Sequence, residues 1–312
     1  MLRSALSLVE DTMRKPFRHS LLAAAGSFLT AGTVAAPMSL QDYLALMGPE
    51  PDRHIAYGPA PSQFVELFQP AGDGPFPVVV LIHGGCWTVE FGGIAQMRNM
   101  AGALKAQGIA VWNVEYRRHD EAGGGYPGTY QDIATAVDRL KAEAPAHRLD
   151  IGRIVAVGHS AGGHLAQWAA SRHRLPSWSP AWTPDPLPLP TVISLGGLAD
   201  LRHQAALIQS SCERSTTQLA GTPTAARPDV FADTSPAELL PAGVRTILIH
   251  GEYDVVSPPS TGTAYAARAQ VAGDQAEVIV LPRASHYDEV AATSPAWAIV
   301  GREIRRALDM LK

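Results

Sequence analysis

Short apolar runs rich in Val, Ile and Leu recur along the chain, separated by longer segments in which apolar residues return every three or four positions. The runs are Phe76–Ile82, Ile109–Glu115, Ile154–Val157, Thr191–Leu195, Thr246–His250 and Glu277–Leu281. Unbroken runs of this length read as strands buried on both faces of a parallel sheet, where no alternation with polar residues is needed. Residues 95–107, Tyr130–Ala144, His164–Ala170, Thr261–Val271 and Ala296–Leu311 read as helices. One short helix over 38–47 and two short strands, His54–Tyr57 and Gln63–Phe68, come first, and Pro, Gly and Asp mark a turn at 70–76. Strands alternating with helices predict an α/β fold, a doubly wound, mostly parallel, right-handed sheet with helices on both faces.

Two stretches break the alternation. Residues 174–190 are dense in proline and carry Trp178 and Trp182, so they read as a surface excursion above the sheet with no regular element. Residues 203–235 read as a long irregular insert.

Composition narrows the picture without changing it. The chain has 312 residues, 46% of them hydrophobic, 17% charged, and a net charge of -4. That fits a single domain over 37–312, near the upper size of one core, and excludes a nucleic-acid-binding surface or a charged disordered tail. There is no internal repeat, low-complexity tract or heptad pattern.

Residues 1–36 differ in kind. A basic start, Met13 to Ser20, precedes an uncharged run from Leu21 to Ala36 that ends in the small residues Thr33-Val34-Ala35-Ala36. This is the layout of a secretory signal peptide, with Met13 as a candidate true start because Glu10 and Asp11 are unlike its basic region. A cut after Ala36 or after Ala35 is open. The run falls short of the ~20 apolar residues that cross a bilayer, so no stable membrane span is expected once the signal is cleaved, and an uncleaved anchor is the alternative. Export to the periplasm or outside the cell implies an oxidising compartment. There Cys86 and Cys212, the only two cysteines, either pair or leave Cys86 free and buried.

The candidate chemistry sits where strands end. Gly158-His159-Ser160-Ala161-Gly162 lies between the run ending at Val157 and the helix starting near His164. A serine on so tight a strand-to-helix turn is pushed out at the carboxyl edge of the sheet, and the helix aims unpaired N–H groups at an anion forming beside it. Three other ends carry polar groups: His83-Gly84-Gly85-Cys86-Trp87, Asp254 after His250-Gly251, and His286 in Ser285-His286-Tyr287-Asp288. Ser160, Asp254 and His286 follow the chain order Ser, Asp, His that belongs to a nucleophile, an orienting acid and a general base. Glu252, Asp200 and Asp288 compete with Asp254 for the acid's place. His159 and His164 lie five apart across the turn, a spacing that does not suit a metal pair on one helix face, so no metal is expected.

Taken together, H-G-G-x-W at 83–87, G-H-S-A-G-G-H-L at 158–165, H-G-x-x-D at 250–254 and S-H-Y-D at 285–288 resemble the α/β-hydrolase esterases, in particular the branch of the arylformamidases and small carboxylesterases. The resemblance covers residues 54–312. The chain differs from the hormone-sensitive-lipase-type esterases in having Cys86 where their H-G-G-G continues with glycine, and it lacks their long helical N-terminal cap. The resemblance implies a cofactor-free Ser160–His286–Asp254 triad. It also implies an oxyanion site formed by the N–H groups of Gly85, Cys86 and Ala161, with His83 in a structural role.

Around this site, Trp87, His159, Tyr287 and the tryptophans of 174–190 are candidates to line a substrate pocket or, alternatively, to pack the core, while Trp168 reads as core. Arg117 and Arg118, after a strand, read as solvated side chains, with contact to an anionic group as the alternative. The expected partner is a small-molecule ester or amide. Hydrolysis of small carboxylic esters is the first reading, and cleavage of an N-formyl aromatic amide such as N-formylkynurenine the second, disfavoured by export. A binding protein of this fold without catalysis is a third, and such proteins usually lose the elbow serine or a triad member, all of which are present here.

Overall fold

Along Phe76–Ile82 the side chains of Val78, Val80 and Ile82 enter one hydrophobic core and those of Val79 and Leu81 enter another, and all five are fully buried. That two-residue alternation is the geometry of an extended chain covered on both faces. The computed structural model describes residues 36–311. The leader expected over 1–36 therefore lies, save for Ala36, outside the described residues.

In chain order the elements are α1 (Leu40–Leu44), β1 (Arg53–Ala56), β2 (Phe64–Phe68), β3 (Phe76–Ile82), α2 (Ile94–Lys105), β4 (Ala110–Val114), α3 (Gly128–His147), β5 (Leu149–His159) and α4 (Ala161–Ser171). They continue with β6 (Thr191–Leu195), α5 (Ala205–Cys212), α6 (Thr216–Ala220), β7 (Arg245–Gly251), α7 (Pro259–Val271), β8 (Ala276–Leu281) and α8 (Trp297–Asp309). The strands form one eight-stranded sheet in the order β1-β2-β4-β3-β5-β6-β7-β8. Only the β1/β2 and β2/β4 pairings are antiparallel. One core packs α3 and α4 on the sheet through Ile133, Val137, Leu140, Leu165 and Trp168. The other packs α2 and α8 through Met97, Met100, Leu104, Val300 and Ile304. The strand order reverses at β3, with β4 on one side and β5 on the other. A crevice opens at such a reversal, beyond the carboxyl ends of the strands.

β5 begins five residues earlier than its apolar run, because Asp150, Gly152 and Arg153 interrupt the hydrophobic pattern where the register to β3 shifts between Pro77 and Val78. A second correction concerns 203–235, which is not wholly irregular. It holds α5 and α6, whose eight and five residues bury only Ile208 and Cys212 in one and Leu219 and Ala220 in the other. Helices that short leave no readable period. The insert is organised instead by the buried Arg227, which ion-pairs with Asp233, donates to the carbonyls of Ala220 and Val230 at 2.6 Å each, and lies 3.7 Å over the ring of Tyr126. Cys86 and Cys212 form a disulfide with their Cα atoms 5.4 Å apart, so Cys86 is not free. Residues 175–190 carry no regular element, as expected. No helix among the described residues is long and apolar enough to cross a membrane.

Candidate active site

β5 runs into α4 through Ser160, whose backbone at φ 53°, ψ -119° is one that side chains adopt only under constraint. The flanking packing supplies the constraint: a Cβ on Gly158 would stand 2.0 Å from the carbonyl oxygen of Gly162. The Ser160 N–H donates to Leu195 O at 2.8 Å, which ties the turn to β6. Its side chain is thereby presented at the crevice, between the end of β5 and the N-terminus of α4.

His286 reaches the same place from the loop after β8. Its Nδ1 donates to Asp254 Oδ2 at 2.7 Å, while Asp254 Oδ1 accepts the N–H groups of Val256 and Ser257 at 2.8 and 2.7 Å. Burial works against the Asp254 charge, but His286 and these N–H donors outweigh it and hold the carboxyl below its usual range. The competing carboxylates are engaged elsewhere. Glu252 accepts the Arg283 N–H, Asp200 pairs with Arg268 and His203, and Asp288 accepts from Met38, Ser285 and Ser294. Beneath His286, Gly196 is required by contact as well as by its φ of +54°: a Cβ there would lie 2.7 Å from His286 Nδ1 and 2.6 Å from Glu289 Oε2.

His159 donates through Nε2 to the His286 carbonyl at 3.0 Å, and its ring centroid lies 4.6 Å from that of His286. Burial, then the neighbouring His286, push its pKa down to about 3, so it stands as a neutral ring that braces the loop.

The loop after β3 supplies the opposite wall. His83 contacts Glu115 Oε1 through Nε2 at 2.8 Å and Gly84 O through Nδ1 at 2.7 Å, and its ring stacks on Tyr116 at 4.4 Å. Gly85, Cys86 and Trp87 follow with φ of 105°, 50° and 55°, a run of left-handed residues that curls the backbone, and the disulfide fastens the middle one to α5. Among the described residues no acceptor takes the N–H of Gly85, Cys86 or Ala161. Glu115, which the sequence did not mark, anchors the loop. Burial raises its pKa, but His83 and Arg118 prevail and hold it at about 2.

Between these walls lies an open cavity of about 470 Å³ onto which Ser160, His286, Gly85, Cys86 and His159 all face. Leu40, Tyr43, Phe91, Ser211, Val256 and Tyr287 complete its lining, and among the described residues no Lys, Arg, Asp or Glu does so. Leu40, Tyr43, Ser211 and Val256 escaped sequence reasoning because they stand on α1, on α5 and in a loop, with no motif to mark them. α1 is fastened down by the Ser285 hydroxyl, which donates to Met38 O at 2.7 Å, and by Tyr43 stacked on Tyr287 at 5.5 Å.

Other candidates fall elsewhere. Trp87 does not line the cavity: it is 2% exposed and packs edge-on against His164 in the core, because the left-handed backbone at 85–87 turns it inward. Trp178 and Trp182 are exposed at the surface and Trp168 is core. Arg117 and Arg118 are not free solvated cations, since Asp132 and Glu115 pair with them at 2.7 and 2.6 Å.

Among the described residues, two groups bring metal-donor atoms within 4.8 Å of one another: His159, His286 and Glu289, and Asp200, His203 and Glu238. In the first, His286 Nδ1 is committed to Asp254, and in the second the Arg268 guanidinium already occupies Asp200 and Glu238.

Comparison with known proteins speaks to the family and the fold. The BD-FAE family pattern matches residues 65–268. A protein of Arabidopsis thaliana named probable isoprenylcysteine alpha-carbonyl methylesterase is 26% identical over 260 residues, covering 79% of this chain and 59% of its own length. The chain thus spans less than two thirds of that relative. Among solved structures, esterase B from Lactobacillus rhamnosis superposes with a TM-score of 0.71 at 20% identity, over 87% of this chain and 90% of that one. A propionate-bound thermophilic esterase from Thermogutta terrifontis gives 0.62 at 22%, over 83% and 92%. At such identities the likeness speaks to the fold, which is that of the α/β-hydrolase esterases.

Proposed function

The chain belongs to the BD-FAE family, and from that membership we propose that it is a serine hydrolase of small, uncharged carboxylic esters that works through an acyl-enzyme. One observation carries the reading. Ser160, on a strained elbow, and His286, hydrogen-bonded to Asp254 at 2.7 Å, face one cavity whose lining is otherwise uncharged.

Ser160 Oγ attacks the ester carbonyl while His286 Nε2 takes its proton, because a neutral hydroxyl is a poor nucleophile. The oxygen that becomes negative is received by the N–H groups of Gly85, Cys86 and Ala161, a contribution of about 3 to 4 kcal/mol per donor in comparable sites. Asp254 keeps the imidazole in the tautomer with Nδ1 protonated and stabilises the imidazolium. His286 then hands the proton to the departing alkoxide, and the same groups run the cycle again with water to release the acid.

The test is hydrolysis of short acyl nitrophenyl esters by the chain beside its Ser160→Ala variant, with N-formylkynurenine in parallel. Ester turnover that falls on the order of ten-thousand-fold in the variant is the expected result. A variant with wild-type rate sinks the reading and moves the non-catalytic alternative forward. The relatives and neighbours named above are esterases, and no feature of the site favours a formamide. Export through cleavage of residues 1–36 belongs to the same proposal. It is supported by the leader's composition and by the Cys86–Cys212 disulfide. Mass measurement of the N-terminus after expression in a Gram-negative host tests it, and an uncut chain left in the cytoplasm refutes it.

A further inference from the structure

Behind the Asp254–His286 pair stands a carboxyl group for which the chemistry above has no use. Glu289, in the single 3-10 turn Asp288–Val290, has no solvent exposure. Its Oε1 accepts the Gly251 N–H at 2.7 Å, while Oε2 is buried with no conventional donor to meet it. What Glu289 does meet is the acid–base pair itself. Glu289 Oε2 and His286 Nδ1 flank the same spot above Gly196, the Glu289 donor atom falls within 4.8 Å of those of His286 and His159, and Asp254 Oδ2 stands 2.7 Å from that same Nδ1, so the two carboxyl groups share the neighbourhood of one ring nitrogen.

Two adjacent carboxyl groups sealed from water cannot both be ionised, since the second charge would be repelled by the first and left unsolvated. The hydrogen bonds decide which one keeps the proton. Asp254 receives three N–H donors, from Val256, Ser257 and His286, and is thus held as the carboxylate. Glu289 receives one, and among the described residues no Lys or Arg pairs with it. The charged or titratable groups facing it are Asp254 from the loop after β7, His159 from β5, and His286 and Asp288 from its own loop.

We infer that Glu289 is a neutral carboxylic acid whose Oε2–H donates to Asp254, and that it is a positioning residue holding Asp254 in line with His286. Burial, and then the Asp254 charge, raise its pKa well above the carboxylate range, in keeping with this geometry. Neutrality is what makes the arrangement workable: a second negative charge beside His286 would favour the imidazolium and deny Ser160 its base. The role in turnover rests on the serine-esterase reading, whereas the proton on Glu289 does not.

Two measurements separate those parts. In infrared spectra at neutral pH, the carbonyl stretch of a protonated carboxylic acid is expected in the intact chain and lost in Glu289→Gln. Its persistence in the variant, or its absence from the parent, overturns the inference whether or not the chain hydrolyses esters. In ester hydrolysis, Glu289→Leu is expected to lower kcat about 10- to 100-fold with little change in KM. Glu289→Gln, which can still accept from Gly251 and donate an amide N–H to Asp254, should restore most of that loss. A Glu289→Gln variant as impaired as Asp254→Asn would instead make the ionised Glu289 the working acid. If Glu289→Leu does not fold, the isosteric Glu289→Gln and the infrared band still decide. Failure of the wild-type chain on every ester would remove the enzymatic reading and leave the spectroscopic result standing.

Discussion

His83 and His286 each lie against a buried carboxylate at the carboxyl edge of one sheet, 2.8 Å from Glu115 and 2.7 Å from Asp254. At His83 both ring nitrogens meet acceptors, the ring is stacked on Tyr116, and the Tyr116 hydroxyl donates to the His83 carbonyl at 3.0 Å. Arg118 adds a fixed cation to the carboxylate at 2.6 Å. At His286 only Nδ1 is taken, no Lys or Arg pairs with Asp254 among the described residues, and the ring faces the cavity beside Ser160. A histidine–carboxylate pair can pass a proton only if one nitrogen is left for the reacting group. A pair closed at both ends serves as a bracket, and His83 brackets the loop that carries Gly85 and Cys86.

The sharpest way to break this comparison is to neutralise each carboxylate. Asp254→Asn is expected to cost about 10⁴-fold in kcat, because the imidazole loses its tautomer control. Glu115→Gln, read by the same nitrophenyl ester assay, should cost far less, and equal losses would erase the distinction between the pairs.

The two sites also leave opposite marks on stability. Glu115, held at about 2 against an ordinary 4.5, contributes stability that is complete above pH 4.5 and drains away as pH falls toward 2. The amount is on the order of 3 kcal/mol. Urea midpoints at pH 6 and pH 3 should therefore converge for wild type and Glu115→Gln on the acid side. Glu289 has the reverse sign. Its folded pKa is raised, so its contribution is complete below 4.5 and is lost as pH climbs, and Glu289→Gln should gain on wild type as the buffer becomes more alkaline.

A smaller effect is expected where the bracket meets catalysis. His83→Phe keeps a ring on Tyr116 but frees Glu115, and it should lower kcat about 10- to 100-fold by letting the oxyanion donors drift. Because His286 remains the base, the acid limb of the kcat profile should stay in place. A displaced limb would assign His83 a part in proton transfer. Smallest of all, Tyr43→Ala opens the cavity wall formed by α1. It should change the butyrate-to-acetate rate ratio about threefold, a little less than the ~0.8 kcal/mol of one fully buried methylene, and an unchanged ratio would remove α1 from the acyl site.

Much of this molecule can be read without coordinates. The apolar runs place the parallel strands, since a strand buried on both faces has no polar alternation to hide it, and G-H-S-A-G between a run and a helix marks the elbow because few other sequences tolerate that turn. The reading weakens wherever an element is short or a role depends on a distant neighbour. α5 and α6 are too brief to show a period, and the aromatic residues of the two excursions look alike in sequence whether they face the cavity, the core or water.

What the sequence determined by itself is therefore local: the strand-helix alternation, the strained serine turn, and the set of polar residues delivered to the strand ends. The tertiary structure alone decided that Cys86 meets Cys212 across 126 positions and that Tyr43 of α1 stacks on Tyr287, and it set Asp254, the acid that the motif at 250–254 had favoured, 2.7 Å from His286. It likewise placed Glu289 beside His286. Periodicity and turn sterics act between residues a few positions apart and so are written along the chain, whereas these pairings arise only when packed helices and strands bring separate loops to one edge of the sheet.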